Sequence, residues 1–266
     1  MNFDAILLNN DNPGKIAELL GSTQIENLGQ GAVKIIGAKK NILPAEIKAD
    51  IFFVPQNKKP FKLLVCDMES TIVDNEFLDE IADYLGIGSK VADITARAMN
   101  GELNFEAALK ERIKLTEGLT LLEAKNILKT RLKYNPGARE MVAKCKEAGL
   151  YCALVSGGFT MFTEAVKEEL GFDEHRANTL VFTNEKLTGV TEPILGKEAK
   201  LEYLEAQCAK MGIDLSQSIT MGDGANDLPM LHAAGLGIAY VAKPKVKTEI
   251  ANRIDSGNLA SLLAAL

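Results

Sequence analysis

The chain has 266 residues, 47% of them hydrophobic and 25% charged, with 22 glycines and 8 prolines. That is too apolar for a disordered chain and too poor in Gly and Pro for a fibrous or low-complexity one, so the sequence describes a globular protein of one large domain or two modest ones. Its 30 Lys and Arg against 36 Asp and Glu leave a formal charge of −6, the wrong sign for gripping nucleic acid. A small anionic substrate would have to be met by locally placed cations or a metal.

Cys66, Cys145, Cys152 and Cys208 are widely spaced, with no CxxC pair, and read as free buried thiols in a reducing cytoplasm. The start, MNFDAILLNNDN, has no basic leader and no apolar core of signal-peptide length. No apolar run approaches the roughly 18 residues needed to cross a bilayer. The expectation is a cytoplasmic protein that engages no membrane.

In chain order, AILLNN, PGKIAELLG, AVKIIG and DIFFVP predict strand, helix, strand, strand. PQNKKP, from Pro55 to Pro60, reads as a linker. Residues 1–58 thus form a small α/β piece without visible chemistry, too short to be independent, expected to pack on the remainder or on a second copy in a homodimer. FKLLVCDMEST then predicts an apolar strand that stops abruptly in acidic and hydroxyl residues. From about 75 to 133 the pattern is helical throughout, predicting a helical subdomain inserted after that strand.

From Asn135 strand and helix alternate again: NPGAREMVAKCKEAG, YCALVS, GFTMFTEAVKEELG, a hairpin at TLVFTNEKLTGVT, a helix from Lys197 to Met211, SITMG, NDLPMLHAAG, LGIAYV and a terminal helix LASLLAAL. Alternation at these lengths predicts a doubly wound parallel sheet over residues 59–266. In such sheets ligands bind beyond the carboxyl ends of the strands. There, or on the helices that follow, lie Asp67-Met68-Glu69-Ser70-Thr71, Ser156-Gly157-Gly158, Lys200 and Gly222-Asp223-Gly224-Ala225-Asn226-Asp227. Singly, each could be a turn, a solvated strand end or an exposed lysine.

Taken together and in this order, these clusters resemble the haloacid dehalogenase superfamily, and within it the phosphoserine phosphatases. The family pattern is DxDxT, a Ser or Thr, a Lys and a GDGxND-like motif, with a helical cap inserted after the first strand. The resemblance spans about 200 residues from Phe61 onward and includes the cap sequence AMNGELNFEAALKERI. It implies a Rossmann-like core under a cap and Mg²⁺-dependent hydrolysis of O-phospho-L-serine to serine and phosphate. Asp67 would be the nucleophile that forms an aspartyl-phosphate. Asp67, Asp223 and the main-chain carbonyl of Glu69 would hold Mg²⁺, with Asp227 acting indirectly or orienting a metal-bound water. Ser156, Gly157 and Lys200 would hold the phosphoryl oxygens, and Asn226 would anchor Lys200 or the phosphate.

Glu69 departs from the family, which has Asp as the general acid and base at this position. The extra methylene moves the carboxyl by about 1.5 Å, although Glu carries out the same chemistry. In the cap, Glu76 and Arg112 match the residues that take the ammonium and carboxylate of phosphoserine, Glu76 as a buried acid and Arg112 as a planar fork. Met99 and Phe105 would be apolar walls. Other readings are phosphoryl transfer from phosphoserine to another alcohol, hydrolysis of a different small phosphomonoester, or a phosphate-binding relative slowed by Glu69. His175, His232, Lys197 and the lysines of VAKPKVK read as structural or solvated.

Overall fold

The computed structural model describes residues 3–29, 31–44, 47–99 and 102–266; the side chain of Met99 lies outside that set. The elements run β1 (Phe3–Leu8), α1 (Pro13–Leu19), β2 (Ile25–Gly29), β3 (Ala32–Ala38), β4 (Asp50–Pro55) and β5 (Leu63–Cys66). The helices α2 (Phe77–Tyr84), α3 (Gly88–Met99), α4 (Phe105–Leu115) and α5 (Leu121–Arg131) follow, then α6 (Ala138–Glu147), β6 (Tyr151–Phe159), α7 (Thr160–Leu170) and β7 (Glu174–Asn178). The chain continues with β8 (Leu180–Thr183), β9 (Lys186–Val190), α8 (Ala199–Met211), β10 (Ser218–Gly222) and α9 (Leu228–Ala233). It closes with β11 (Leu236–Tyr240), α10 (Pro244–Lys247), β12 (Asn252–Ile254) and a 3₁₀ stretch, Leu259–Ala265, where a last helix is expected.

Among the described residues ten strands form one sheet, in the order β2-β3-β1-β4-β12-β11-β10-β5-β6-β7. From β12 to β7 the neighbours are parallel, as the strand and helix alternation predicts. The four N-terminal strands extend this sheet antiparallel, joined to it where Ile51 of β4 pairs with Arg253 of β12. The sequence does not predict β2, β7, α10 or β12. Each is short and polar or exposed, and β12 is the strand that makes the join.

The central strands β5, β10 and β11 are buried along their whole length, which is why their sequences are continuous apolar runs rather than alternating ones. Helices cover both faces, and one cluster around Leu64, Phe77, Met141, Phe162 and Ile238 forms the principal core. The cap is fastened at its root by Phe77, the first residue of α2, whose ring stacks on Phe162 of α7 at 4.0 Å between centroids. The β8–β9 hairpin grips its far side: Leu121 N–H donates to Glu185 at 2.8 Å, and Leu187 N–H donates to Leu119 at 2.8 Å. Among the described residues no helix is long and apolar enough to cross a membrane.

The seam with the N-terminal piece is organised by Asp50, which is fully buried. Its carboxylate accepts from Asn9 Nδ2, the main-chain N–H groups of Asp255 and Ser256, and the hydroxyls of Ser256 and Ser261. Asp50→Ala would strand all of these donors at once, and leaving one buried group unpaired costs about 1–3 kcal/mol. Urea unfolding should therefore show a loss of at least about 3 kcal/mol, and an unchanged midpoint would mean the seam does not depend on this carboxylate.

Candidate active site

The ends of β5 and β10 bring the first and last motifs together. Asp67 follows β5 directly, and its N–H donates to Met221 of β10 at 2.9 Å, which sets it beside Asp223 at the end of that strand. After Asp67 the chain folds into a tight turn in which the N–H groups of Ile72 and Val73 both reach Met68 O, at 2.8 and 3.0 Å. Ser70 holds a left-handed φ of 54° within it, rare for a residue with a side chain.

The glycines of the last motif have a packing reason. A Cβ on Gly222 would stand 2.3 Å from Asp227 Cγ, and one on Gly224 would stand 2.4 Å from Asn226 Oδ1. Without side chains at 222 and 224 the loop curls back, and Gly224 N–H donates to Asp227 Oδ2 at 2.9 Å.

Lys200, in the first turn of α8, enters this loop from the side. Its ammonium lies 2.8 Å from Asp67 Oδ1 and 2.5 Å from Asp227 Oδ1, with 3% of its side chain exposed. Lys197, three residues earlier, pairs with Glu198 at the surface. Asp227 is fully enclosed, and its two oxygens accept from the Lys200 ammonium and from Gly224 N–H. Asn226 does not anchor Lys200, because the two aspartates take that place; Asn226 lines the cavity instead.

Asp67, Asp223 and Asp227 are all buried, and one oxygen from each can be found within 4.8 Å of the others. Lys200 can neutralise one carboxylate. Burial raises the carboxyls of Asp67 and Asp223 above their ordinary range; Lys200 and Lys243 respectively work against this, while Asp227 adds to it. Lys200 itself, which burial would discharge, is held above the lysine range by Asp227 and Asp67. An all-oxygen, over-negative donor set of this kind suits a hard divalent cation.

Above the carboxylates is a cavity of about 250 Å³ lined by Asp67, Glu69, Ser156, Gly157, Arg112 and Lys243, among others. Ser156 lies at the point where β6 loses its regular pairing with β7, and its Oγ accepts from Gly158 N–H at 3.0 Å. Asn178 braces this strip by donating to Gly157 O at 2.8 Å. From the cap, α4 presents Phe105, Leu109 and Arg112 to the cavity, a spacing of four and three residues that keeps them on one helix face. Phe105 packs toward Gly157, 3.3 Å from where a Cβ would stand. The apolar wall expected from Met99 falls on a side chain outside the described set.

Glu69 fits its longer side chain into a defined place. Its Oε1 accepts from Phe77 N–H at the start of α2, at 2.9 Å, and a Cβ on Gly158 would stand 2.7 Å from its Oε2. Burial, with the neighbouring Glu76 charge, pushes its carboxyl up to about 8. Glu76 is not the buried acid expected from the sequence. It stands exposed at the mouth, accepting from Ser70 Oγ at 2.7 Å, because α2 begins only at Phe77 and leaves its N-cap at the rim.

Lys243, a solvated charge by its sequence, in fact lines the cavity with its ammonium 3.4 Å from Asp223; its position just past the predicted strand LGIAYV is the available signal. Leu78 and Leu109 were missed because they look like ordinary helix-core residues. Neither histidine lies at this cavity: His175 bonds Thr163, and His232 faces Glu249.

The β5, β6 and β10 ends, the lysine of α8 and the inserted cap together define a haloacid dehalogenase-like hydrolase, and the sequence model of that family matches residues 64–232. The phosphoserine phosphatase of Polaromonas sp. is 45% identical over 209 residues, covering 76% of this chain and 89% of the relative. A HAD family hydrolase from Salmonella enterica serovar Typhi superposes with a TM-score of 0.89 at 28% identity, covering 99% of this chain and 97% of the other. A phosphoserine phosphatase solved as a phospho-aspartyl intermediate analogue superposes with a TM-score of 0.70 at 40% identity, over 77% of this chain and 98% of that one. The chain belongs to the haloacid dehalogenase-like hydrolases and, within them, to the phosphoserine phosphatase family.

Two outcomes follow from the geometry. Gly158→Ala would press a methyl group on the Glu69 carboxylate and should cut turnover of a phosphate monoester by about 100-fold, with Glu69→Asp in the same chain recovering part of the loss. Wild-type kinetics for Gly158→Ala would show that the carboxylate has room to move. The raised carboxyls also mean that the folded chain binds more protons than the unfolded one between the ordinary carboxyl range and about pH 8. Its stability should therefore fall as pH rises through that window. In chelator the melting temperature should drop from pH 5 to pH 8, and a divalent cation should restore most of it; a flat profile in chelator would contradict the unbalanced charge.

Proposed function

We propose that this chain hydrolyses O-phospho-L-serine to L-serine and phosphate, with Mg²⁺ as cofactor and an aspartyl-phosphate formed on Asp67. The observation that carries this reading is the buried Asp67–Lys200–Asp227 cluster opening into a cavity whose other wall presents Arg112. The names of the relatives it resembles support the choice of substrate.

Mg²⁺ would be held by the carboxylates of Asp67 and Asp223 and the main-chain carbonyl of Glu69, and when bound it neutralises charge between nucleophile and phosphate. The protein's own groups do the rest. Lys200 and the N–H of Met68, 2.8 Å from Asp67 Oδ1, fix the plane of the nucleophilic carboxylate. Lys200, Ser156 and the main chain at Gly157 hold the phosphoryl oxygens, with α7 starting just beyond them.

An Asp67 oxygen forms the bond to phosphorus as the bond to serine Oγ breaks. Glu69, whose carboxyl burial raises and so favours in its protonated form, gives its proton to that leaving oxygen. The resulting carboxylate then takes a proton from water as the water oxygen attacks phosphorus, which frees Asp67 and releases phosphate. Arg112 takes the substrate carboxylate through its planar fork, and Glu76 at the rim faces the ammonium. The four cysteines are free and buried, in keeping with a reducing cytoplasm.

Phosphate release with Mg²⁺ should be fastest from phosphoserine among phosphoserine, phosphothreonine, phosphoethanolamine and an aryl phosphate. An equal rate on all four would remove the substrate assignment, and homoserine phosphate appearing when homoserine is added would indicate transfer. Arg112→Ala should raise KM for phosphoserine on the order of 10- to 100-fold and change KM for phosphoethanolamine, which lacks the carboxylate, far less. Equal losses would take Arg112 out of substrate recognition.

A further inference from the structure

Lys243 lies outside the motifs that define the family site, yet the backbone is built to bring it there. Just before it, Val241 adopts a φ of 38°, a conformation that β-branched residues rarely adopt. The kink turns the chain leaving β11 toward the end of β10, where Lys243 N–H donates to the main-chain oxygen of Asp223 at 3.1 Å. On the other side, Lys243 O accepts from Val246 and Lys247 N–H at 2.9 and 3.2 Å, and Pro244 begins α10.

The main chain of Lys243 is thus held from both directions, while 66% of its side chain is exposed. Its ammonium reaches back to Asp223 Oδ2 at 3.4 Å. The charged groups that act on it are Asp223, Glu76 and Asp227, and they outweigh the burial that opposes its charge. Unlike Lys200, which is enclosed between two carboxylates, Lys243 has solvent to retreat into.

We propose that Lys243 is a tethered counter-cation that competes with the divalent ion for Asp223, and so sets how tightly the protein holds that ion. A fixed positive charge at this carboxylate partly relieves the over-negative cluster when no ion is bound. The same charge repels an arriving divalent ion, which must displace the ammonium toward the mouth, where Glu76 can receive it. Lys243 is a positioning residue in this scheme, acting through Asp223. The inference rests on the divalent-cation reading of the carboxylate cluster.

Calorimetric titration of the full chain with Mg²⁺ alone, without substrate and at fixed ionic strength, tests it. Lys243→Met keeps the unbranched stem, one atom shorter, and removes the charge, and should tighten Mg²⁺ binding on the order of three- to tenfold. Its melting temperature should rise more on Mg²⁺ addition than that of the wild type. Lys243→Arg should bind Mg²⁺ as the wild type does. Equal or weaker Mg²⁺ binding by Lys243→Met, or tightening by Lys243→Arg as well, would overturn the proposal while leaving the cation site in place. If the wild type bound no Mg²⁺ at all, the cation reading would fall together with it.

Discussion

One buried lysine among three buried aspartates sets the terms for the rest of this structure. Asp67, Asp223 and Asp227 are each less than a tenth exposed, and Lys200 is as deeply enclosed. Charges this far from water are tolerated when they are paired and hydrogen-bonded, and Lys200 meets that condition for Asp67 and Asp227 at 2.8 and 2.5 Å. The charge left over is of the kind that suits a hard divalent cation. The net charge of −6 is therefore no obstacle to an anionic substrate, because the sign of the local field is decided by a few residues.

That cluster depends on backbone placement more than on side-chain reach. Parallel strands β5 and β10 are hydrogen-bonded neighbours, so residues following them in sequence emerge together. Gly222 and Gly224 remove side chains that would collide with Asp227 and Asn226 respectively. The stack of Phe77 on Phe162 fixes where α2 begins, and that start supplies the N–H that holds Glu69 and leaves Glu76 at the rim. Root packing, acid placement and mouth geometry are thus one arrangement.

The exchange of Asp for Glu at position 69 shows how such an arrangement absorbs a longer side chain. The added methylene would misplace the carboxyl in a site built for Asp. Here the carboxylate lies against the open face of Gly158 and takes a hydrogen bond from Phe77. Neither partner lies next to Glu69 in sequence, so their joint effect could not be read from the motif.

Residue type and spacing alone carry the strand and helix alternation, the inserted helical region and the motif positions Asp67, Ser156, Lys200, Asp223 and Asp227. The elements are legible because buried parallel strands must be apolar throughout; the site residues stand out only through their joint likeness to the family's motifs. Tertiary structure alone decided that β12, three residues long, joins the N-terminal strands into a single sheet. It also decided that Asp227 rather than Asn226 holds Lys200, that Glu76 is exposed, and that Lys243 turns in toward Asp223. Each of these depends on a contact between segments distant in the chain or on a local kink such as that at Val241. Residue type and spacing carry no record of such contacts, since the same lysine past the same strand would be an ordinary solvated charge had the backbone turned the other way.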